Sequence, residues 1–370
     1  MTNPFLIEGY AGPEYFCDRQ EETATIEEAL RNGRNLVLIS PRRMGKTGLI
    51  QHLFHRLHGT GERVHTFYLD ILPTQSLADF VSLLGKTVLG KLDATPKKMM
   101  ARIGRFIKSV RPVLSVDSGS SVPQVSFDVA EDRQETTLKE IMDYLSSCEE
   151  CCYIAIDEFQ QIASYPEKGV EALLRSHIQF MPQVRWVFSG SSMHLLQQMF
   201  LSTQRPFYQS AQILTLAPIR EDSYRLFAQS FFERKGQMLT AAAFQHLYHS
   251  LGGHTWYLQS VLNRLYATPG DINEDTIDKT IGTLVRENAY AYQTLMGLLP
   301  SASISLLRAI AQEGAVDAPT SSAFLTAHRL RAASTVSRAL NTLMEKGFIY
   351  KSEEGYRLYD RFLERWIVTA

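Results

Sequence analysis

The apolar positions of the first half fall into short unbroken runs separated by longer amphipathic stretches. Leu36-Val37-Leu38-Ile39 is bounded by polar and turn residues and predicts a strand buried on both faces. Val64 to Asp70 alternates and predicts a second strand, and Tyr153 to Ile156, Arg185 to Ser192 and Gln212 to Leu216 predict three more. Helical patterns lie between them. One runs through Leu30, with Asp18 as N-cap and Gly33 as stop; others cover Gly48 to Leu57 and Met193 to Leu201. From Ser76 to Leu92, Leu77, Phe80, Val81, Leu84, Val88 and Leu89 share one side. Strands alternating with helices predict an α/β fold on a parallel sheet. Val113–Val116 and Val125–Val129 flank SGSSVP and predict an inserted hairpin, while Asn3 to Cys17, rich in Gly, Pro and aromatics, predicts an irregular arm.

After Leu216 the pattern turns helical. Glu221 to Lys235 carries Tyr224, Leu226, Phe227, Phe231 and Phe232. Gly252-Gly253 predicts a close turn between two helices, and Asn273 to Leu298 supplies more helix. The last stretch reads as a winged helix. Ile304 to Gln312, Ser321 to His328 and Ala333 to Lys346 are its helices, Gly347 ends the third, and Phe348–Lys351 with Tyr356–Tyr359 make the wing across Glu353-Glu354-Gly355.

A length of 370 residues implies two or three domains, and a net charge of −1 gives no bulk attraction to nucleic acid or anionic membrane. No apolar run approaches the roughly 20 residues that span a bilayer. The N-terminus, MTNPFLIEGY, lacks the basic start and apolar core of a signal peptide. Cys148-x-x-Cys151 has a redox-like spacing, but no second pair completes a zinc site; Cys17, Cys148, Cys151 and Cys152 read as reduced structural thiols of a cytoplasmic protein. Pro96 to Val110, with Lys97, Lys98, Arg102, Arg105 and Lys108, is the most basic segment and reads as a solvated helix face.

Two motifs carry chemistry. Ser40-Pro41-Arg42-Arg43-Met44-Gly45-Lys46-Thr47 follows the first strand and opens a helix at Gly48; it matches the phosphate loop G-x-x-x-x-G-K-[ST] except at its first glycine, where Ser40 stands. Gly45 can take backbone angles that let N–H groups wrap an anion, and the helix start turns its positive end toward phosphates. Lys46 is expected on the β- and γ-phosphates of ATP or ADP, and Thr47 on Mg2+. Asp157-Glu158 ends the apolar strand that starts at Tyr153. One carboxylate must hold magnesium beside Thr47 and a second must orient the attacking water; Asp157 takes the first role and Glu158 the second.

These motifs, with Phe16-Cys17-Asp18-Arg19-Gln20-Glu21-Glu22 ahead of the loop and Phe188-Ser189-Gly190-Ser191-Ser192 after it, resemble the archaeal-type, STAND-related ATPases of the AAA+ class over nearly the whole chain. The resemblance implies five core strands, a helical lid and a winged helix. It implies that Phe16, Asp18 and Arg19 lie near the base, that Ser189 or Ser191 senses the γ-phosphate, and that Arg205 acts as an arginine finger on a neighbouring subunit. The family carries its arginine a few residues later, where this chain has Gln209 and Ser210, and Thr255 stands where a lid proline is expected.

The implied domains are 1–217 (ATPase core, with the hairpin at about 111–130), 218–298 (lid) and 299–370 (winged helix). The favoured function is a magnesium-dependent ATPase with slow turnover, a nucleotide-driven switch whose partners are ATP, other copies of itself and a protein not named by the sequence. The second is a DNA-binding regulator set by ATP or ADP, reading the major groove with Ser334, Thr335, Ser337, Arg338 and Asn341. Residues 301–370 hold nine Lys and Arg against seven Asp and Glu, a weak basic balance for that role. A degenerate scaffold without turnover is the third, and intact Lys46, Thr47, Asp157 and Glu158 oppose it.

Overall fold

The computed structural model describes residues 3–61, 63–89, 91–92, 96–110, 113–116, 123–126 and 128–369. The chain divides into two compact units, Arg19–Ser40 with Lys46–Leu216, and Met1–Asp18 with Pro41–Gly45 and Ala217–Ala370.

The first unit runs α1 (Gln20–Arg31), β1 (Leu36–Ile39), α2 (Lys46–Gly59), β2 (Val64–Asp70), α3 (Leu77–Val88), α4 (Pro96–Phe106), β3 (Val113–Val116), β4 (Pro123–Ser126), α5 (Gln134–Ser146), β5 (Cys151–Asp157), α6 (Val170–Ile178), β6 (Val184–Gly190), α7 (Met193–Leu201) and β7 (Gln212–Thr215). Five strands form a parallel sheet in the order β2-β5-β6-β1-β7. Position in the sheet explains the sequence patterns. Strand β1 lies between β6 and β7 and is wholly buried, so it reads as an unbroken apolar run. The edge strand β7 alternates half-buried and exposed positions. Because the strands are parallel and crossovers return each one to the same starting edge, their C-terminal ends emerge together. Ile39 pairs with Gly190, and Asp70 with Asp157, so both chemical motifs leave the sheet at one end. Below that end, Phe159, Phe188, Phe200 and Phe207 are fully buried, with Phe159 and Phe188 centroids 4.5 Å apart.

Three expectations are corrected or refined in this unit. Asp18 is not an N-cap: α1 begins at Gln20, and Asp18 and Arg19 are both left-handed (φ 54 and 65), which denies Asp18 the extended backbone of a capping residue. Arg19 ties the first turn instead, with its guanidinium 2.6 Å from Glu22 and its carbonyl accepting the Thr23 hydroxyl at 2.6 Å. Strands β3 and β4 pair antiparallel as a hairpin, with β4 ending at Ser126; residues 117–122 and 127 lie outside the described residues. Helix α4 buries Ile103 and leaves Lys98 and Arg105 exposed, as expected for a solvated face; the Lys97 side chain lies outside the described residues.

The second unit holds α8 (Glu221–Arg234), α9 (Ala241–Ser250), α10 (Thr255–Ala267), α11 (Glu274–Glu287), α12 (Ala289–Gly297), α13 (Ser301–Glu313), α14 (Ser322–Ala327), α15 (Ala333–Glu345), a hairpin of β8 (Ile349–Ser352) and β9 (Gly355–Leu358), and α16 (Arg361–Thr369). One hydrophobic core joins these helices. Side-chain caps start several of them: Thr240 on α9, Ser321 on α14, and a capping box of Asn273 and Thr276 on α11. The N-terminal arm is irregular, yet Phe5 is fully buried in this core and stacks on Phe232 at 5.4 Å. Among the described residues no helix is long and apolar enough to cross a membrane.

Candidate functional site

The turn after β1 is built for close approach. Gly45 has φ 93 and Arg43 φ 66, and the helix then opens at Lys46. A residue other than glycine is strained at that angle of position 45. Lys46 is only 6 % exposed; its ammonium donates to the Ser40 carbonyl oxygen at 3.2 Å and reaches the Ser40 hydroxyl at 3.3 Å. Ser40 thus holds the lysine at the strand end.

Asp157 collects donors from three other elements and from the backbone of the next residue. Its Oδ2 accepts the Thr47 hydroxyl at 2.7 Å and the Tyr68 hydroxyl at 2.7 Å. Its Oδ1 accepts the Ser189 hydroxyl at 2.5 Å and the Glu158 N–H at 3.0 Å. Tyr68, on β2, is absent from the sequence-based site. Burial first, and then the Asp157 charge, push its phenol well above the ordinary range, so it stays a donor. Asp70, beside Asp157 in register, is also raised, chiefly by burial, with Asp157 and Glu158 adding to it against the Leu72 N–H.

Glu158 follows in the left-handed region (φ 57) and turns away from the Asp157 donors. Its Oε2 accepts the Ser191 hydroxyl at 2.8 Å, the Ser191 N–H at 3.2 Å and the Gln160 side-chain amide. Gly190 makes the last contact possible, because a Cβ there would stand 1.9 Å from the Gln160 Oε1. The two serines therefore divide their work in this structure: Ser189 on Asp157, Ser191 on Glu158.

The remaining sequence candidates lie elsewhere. Arg205 follows α7 and lines a cleft of about 270 Å³ with Tyr165, Glu167 and Glu171. Its Nε donates to Glu171 Oε2 at 3.1 Å and its Nη2 to Oε1, so the guanidinium forms a fork with one carboxylate. It does not cap α7, whose end residue is Ser202. Arg19 is 4 % exposed and paired with Glu22. Phe16 lies in the second unit, packed edge-on against Tyr10 at 6.0 Å. In the same unit, the Arg43 carbonyl accepts the Trp256 N–H at 3.1 Å and the Arg43 guanidinium stands 4.0 Å from the indole centroid.

The donor set fits a nucleotide with magnesium. Among the described residues no three His, Cys, Asp or Glu side chains form a cage for a metal. Magnesium needs none: it is held by one or two protein oxygens, waters and substrate phosphates, and Thr47 with Asp157 supplies such a pair.

Residues 16–261 match the family described as an ATPase domain predominantly from Archaea, and residues 290–369 match a probable winged helix domain. The chain belongs to this archaeal ATPase family. It is an ATP hydrolase with an AAA+-like P-loop fold and a C-terminal winged helix domain. Comparison with curated protein sequences gives no match. Among solved structures, the chain is similar to the Walker-type ATPase paby2304 of Pyrococcus abyssi, with a TM-score of 0.68 and 16 % identity, covering 99 % of both chains. It is similar to the ORC2 protein of Aeropyrum pernix, solved as ADPNP–ADP complexes, with a TM-score of 0.58 and 17 % identity, covering 99 % of this chain and 97 % of that one. The ORC1 protein of the same organism, solved with DNA, gives a TM-score of 0.50 at 13 % identity, covering 96 % and 93 %.

Proposed function

We propose that the chain is a magnesium-dependent ATPase of slow turnover that works as a nucleotide-driven switch. The contact of Thr47 with Asp157 at 2.7 Å carries the reading, because it joins the phosphate-loop hydroxyl to the strand-end carboxylate where magnesium would be shared. The residues from Ser40 to Gly48 take the phosphates, with Lys46 as the side-chain cation on the β- and γ-phosphates and the start of α2 aimed at the anion. Bound magnesium supplies charge neutralisation on those phosphates. Thr47 and Asp157 orient that charge, and Glu158 accepts the proton of the attacking water once it leaves Ser191 and Gln160. Slow turnover follows from that restraint: a carboxylate oxygen already accepting three donors is a poor base until they part.

The test is Lys46→Ala, which should abolish turnover and weaken ATP binding. A variant that hydrolyses ATP at the wild-type rate would sink the site assignment. The switch requires that ATP and ADP give different protease-protection patterns in the wild-type chain, and identical patterns would remove it.

A second reading, DNA binding, has one observation in its favour. Ser334, Ser337, Arg338 and Asn341 all lie exposed on one side of α15, and the A. pernix ORC1 neighbour was solved with DNA. Against it, Glu353 and Glu354 stand exposed at the wing tip. Phosphate neutralisation must give a salt-dependent affinity for duplex DNA, so a flat or absent salt dependence decides against this reading.

A further inference from the structure

Pro41–Gly45, the middle of the phosphate loop, belongs to the second compact unit and not to the unit of the sheet. Two of its carbonyl groups meet the start of α10. The first four N–H groups of a helix lack partners within it and seek acceptors outside. Trp256 is the second residue of α10, and its N–H donates to the Arg43 carbonyl at 3.1 Å. Thr255, the first residue, brings its hydroxyl to 3.5 Å from the Met44 carbonyl. A proline at this position, which the family resemblance leads one to expect, has no hydroxyl to offer.

Arg43 and Trp256 also meet through their side chains. The guanidinium stands 4.0 Å from the indole centroid, within the range of a cation–π contact. The indole is held in turn by Tyr257, edge-on at 5.1 Å, and by Phe362 of α16 at 6.3 Å. Arg43 is exposed and left-handed (φ 66), a conformation that a residue other than glycine keeps only where its surroundings fix it. One residue of α10 therefore grips Arg43 by backbone and side chain together.

The grip sets the direction of the loop's donors. A trans peptide points its C=O and the following N–H in opposite directions. With the Arg43 carbonyl turned to α10, the Met44 N–H faces away from that helix, and the Met44 carbonyl does the same for the Gly45 N–H. Successive N–H groups are what a phosphate loop presents to its anion. We propose that Trp256 is a positioning residue for phosphate binding: by holding Arg43 it keeps the Met44 and Gly45 N–H groups aimed at the phosphates of the nucleotide. The proposal rests on the assignment of Ser40 to Gly48 as the phosphate site. In this role Trp256 meets neither base nor phosphate and acts through Arg43 alone.

The experiment measures binding of magnesium–ADP and of magnesium–pyrophosphate to the full chain by calorimetry. Trp256→Ala keeps the backbone N–H and removes the indole, and it should weaken both ligands by one factor of about three to ten. Trp256→Phe keeps an aromatic face and should fall between the two. In an Arg43→Ala background, Trp256→Ala should add less than about a twofold loss, because the two residues act as one unit. In the steady state, Trp256→Ala should raise KM for ATP by a similar factor and change kcat by less than about twofold. An indole that only stabilises the fold would reduce the number of binding sites and leave the affinity of the folded fraction unchanged; that result overturns the proposal. A loss confined to ADP makes Trp256 a base contact and overturns it too, as do additive losses from Arg43 and Trp256. Wild-type protein that binds neither ligand removes the phosphate-site assignment and this proposal with it, whereas wild-type binding at an affinity shared by Trp256→Ala removes this proposal alone. Should Trp256→Ala fail to fold, the pyrophosphate affinity of Trp256→Phe decides in its place.

Discussion

Thr47 Oγ1 and Tyr68 Oη stand at the same distance, 2.7 Å, from one oxygen of Asp157. Both hydroxyls donate to Oδ2, so that oxygen is fully used by protein groups. A cation arriving between Thr47 and Asp157 must take lone-pair density that the Tyr68 O–H also claims.

Tyr68→Phe removes that competitor and leaves the ring. The expected result is a lower magnesium concentration for half-maximal ATPase activity, by a factor of several, with stability reduced by about 0.5–1.5 kcal/mol for the lost hydrogen bond. Magnesium titration of the steady-state rate checks the first part and urea unfolding the second. A higher magnesium requirement would mean that Tyr68 orients Asp157 and does not compete for it.

Glu158→Gln should retain ATP and magnesium binding and lose turnover by about 10²–10⁴-fold, because the amide keeps the shape but not the basicity. Ser191→Ala removes one donor from Glu158 Oε2 and should raise basal turnover severalfold. Single-turnover rates on both variants are the measurement. A large fall in Ser191→Ala would return Ser191 to direct γ-phosphate sensing. If Asp157→Asn spares magnesium binding while Glu158→Gln loses it, the two acids exchange roles.

The legible part of the site is the part whose signal is local. Strand β1, the loop and α2 are contiguous, and Asp157-Glu158 closes an unbroken apolar strand. Tyr68 was not legible because its contact with Asp157 depends on β2 lying next to β5, a pairing that joins segments far apart in sequence. Gln160 was hidden for a related reason: it reaches Glu158 over Gly190 of another strand. Helix α16 was missed although Phe362, Leu363, Trp366 and Ile367 recur at helical spacing, a signal the sequence does contain.

His65 gives a pH-dependent contribution to stability. The Cys148 hydrogen bond, set against the cost of burial, raises its imidazole above the ordinary 6.5. A raised folded-state value means that the stabilisation is fully present below pH 6.5 and is lost as pH rises through the folded value. His65→Gln should therefore cost more at pH 6 than at pH 9, by about 0.2–1 kcal/mol for a partly exposed pair. Urea unfolding of the reduced wild type and variant at both pH values tests the sign, and an equal cost at both would show that His65 contributes packing alone.

Arg205 sets the last test, whether turnover depends on a second copy. A P-loop site gains about 10³–10⁵ in rate from an arginine on the far side of the γ-phosphate. Within the chain, Arg205 is held by the Glu171 carboxylate, which is only 13 % exposed on its side chain. Two roles follow from that fork. As a structural ion pair, Arg205→Ala leaves Glu171 unpaired and costs about 1–3 kcal/mol of stability, with turnover independent of protein concentration. As a finger acting in trans, Arg205 must leave Glu171, and specific activity should rise with concentration. Mixing Arg205→Ala with Lys46→Ala should then restore activity, since each variant supplies what the other lacks. Glu171→Gln separates the roles further: it weakens the fork without removing the guanidinium, so it should raise concentration-dependent turnover if Arg205 is a finger. A concentration-independent rate in the wild type, with no complementation in the mixture, would assign Arg205 to the fold alone.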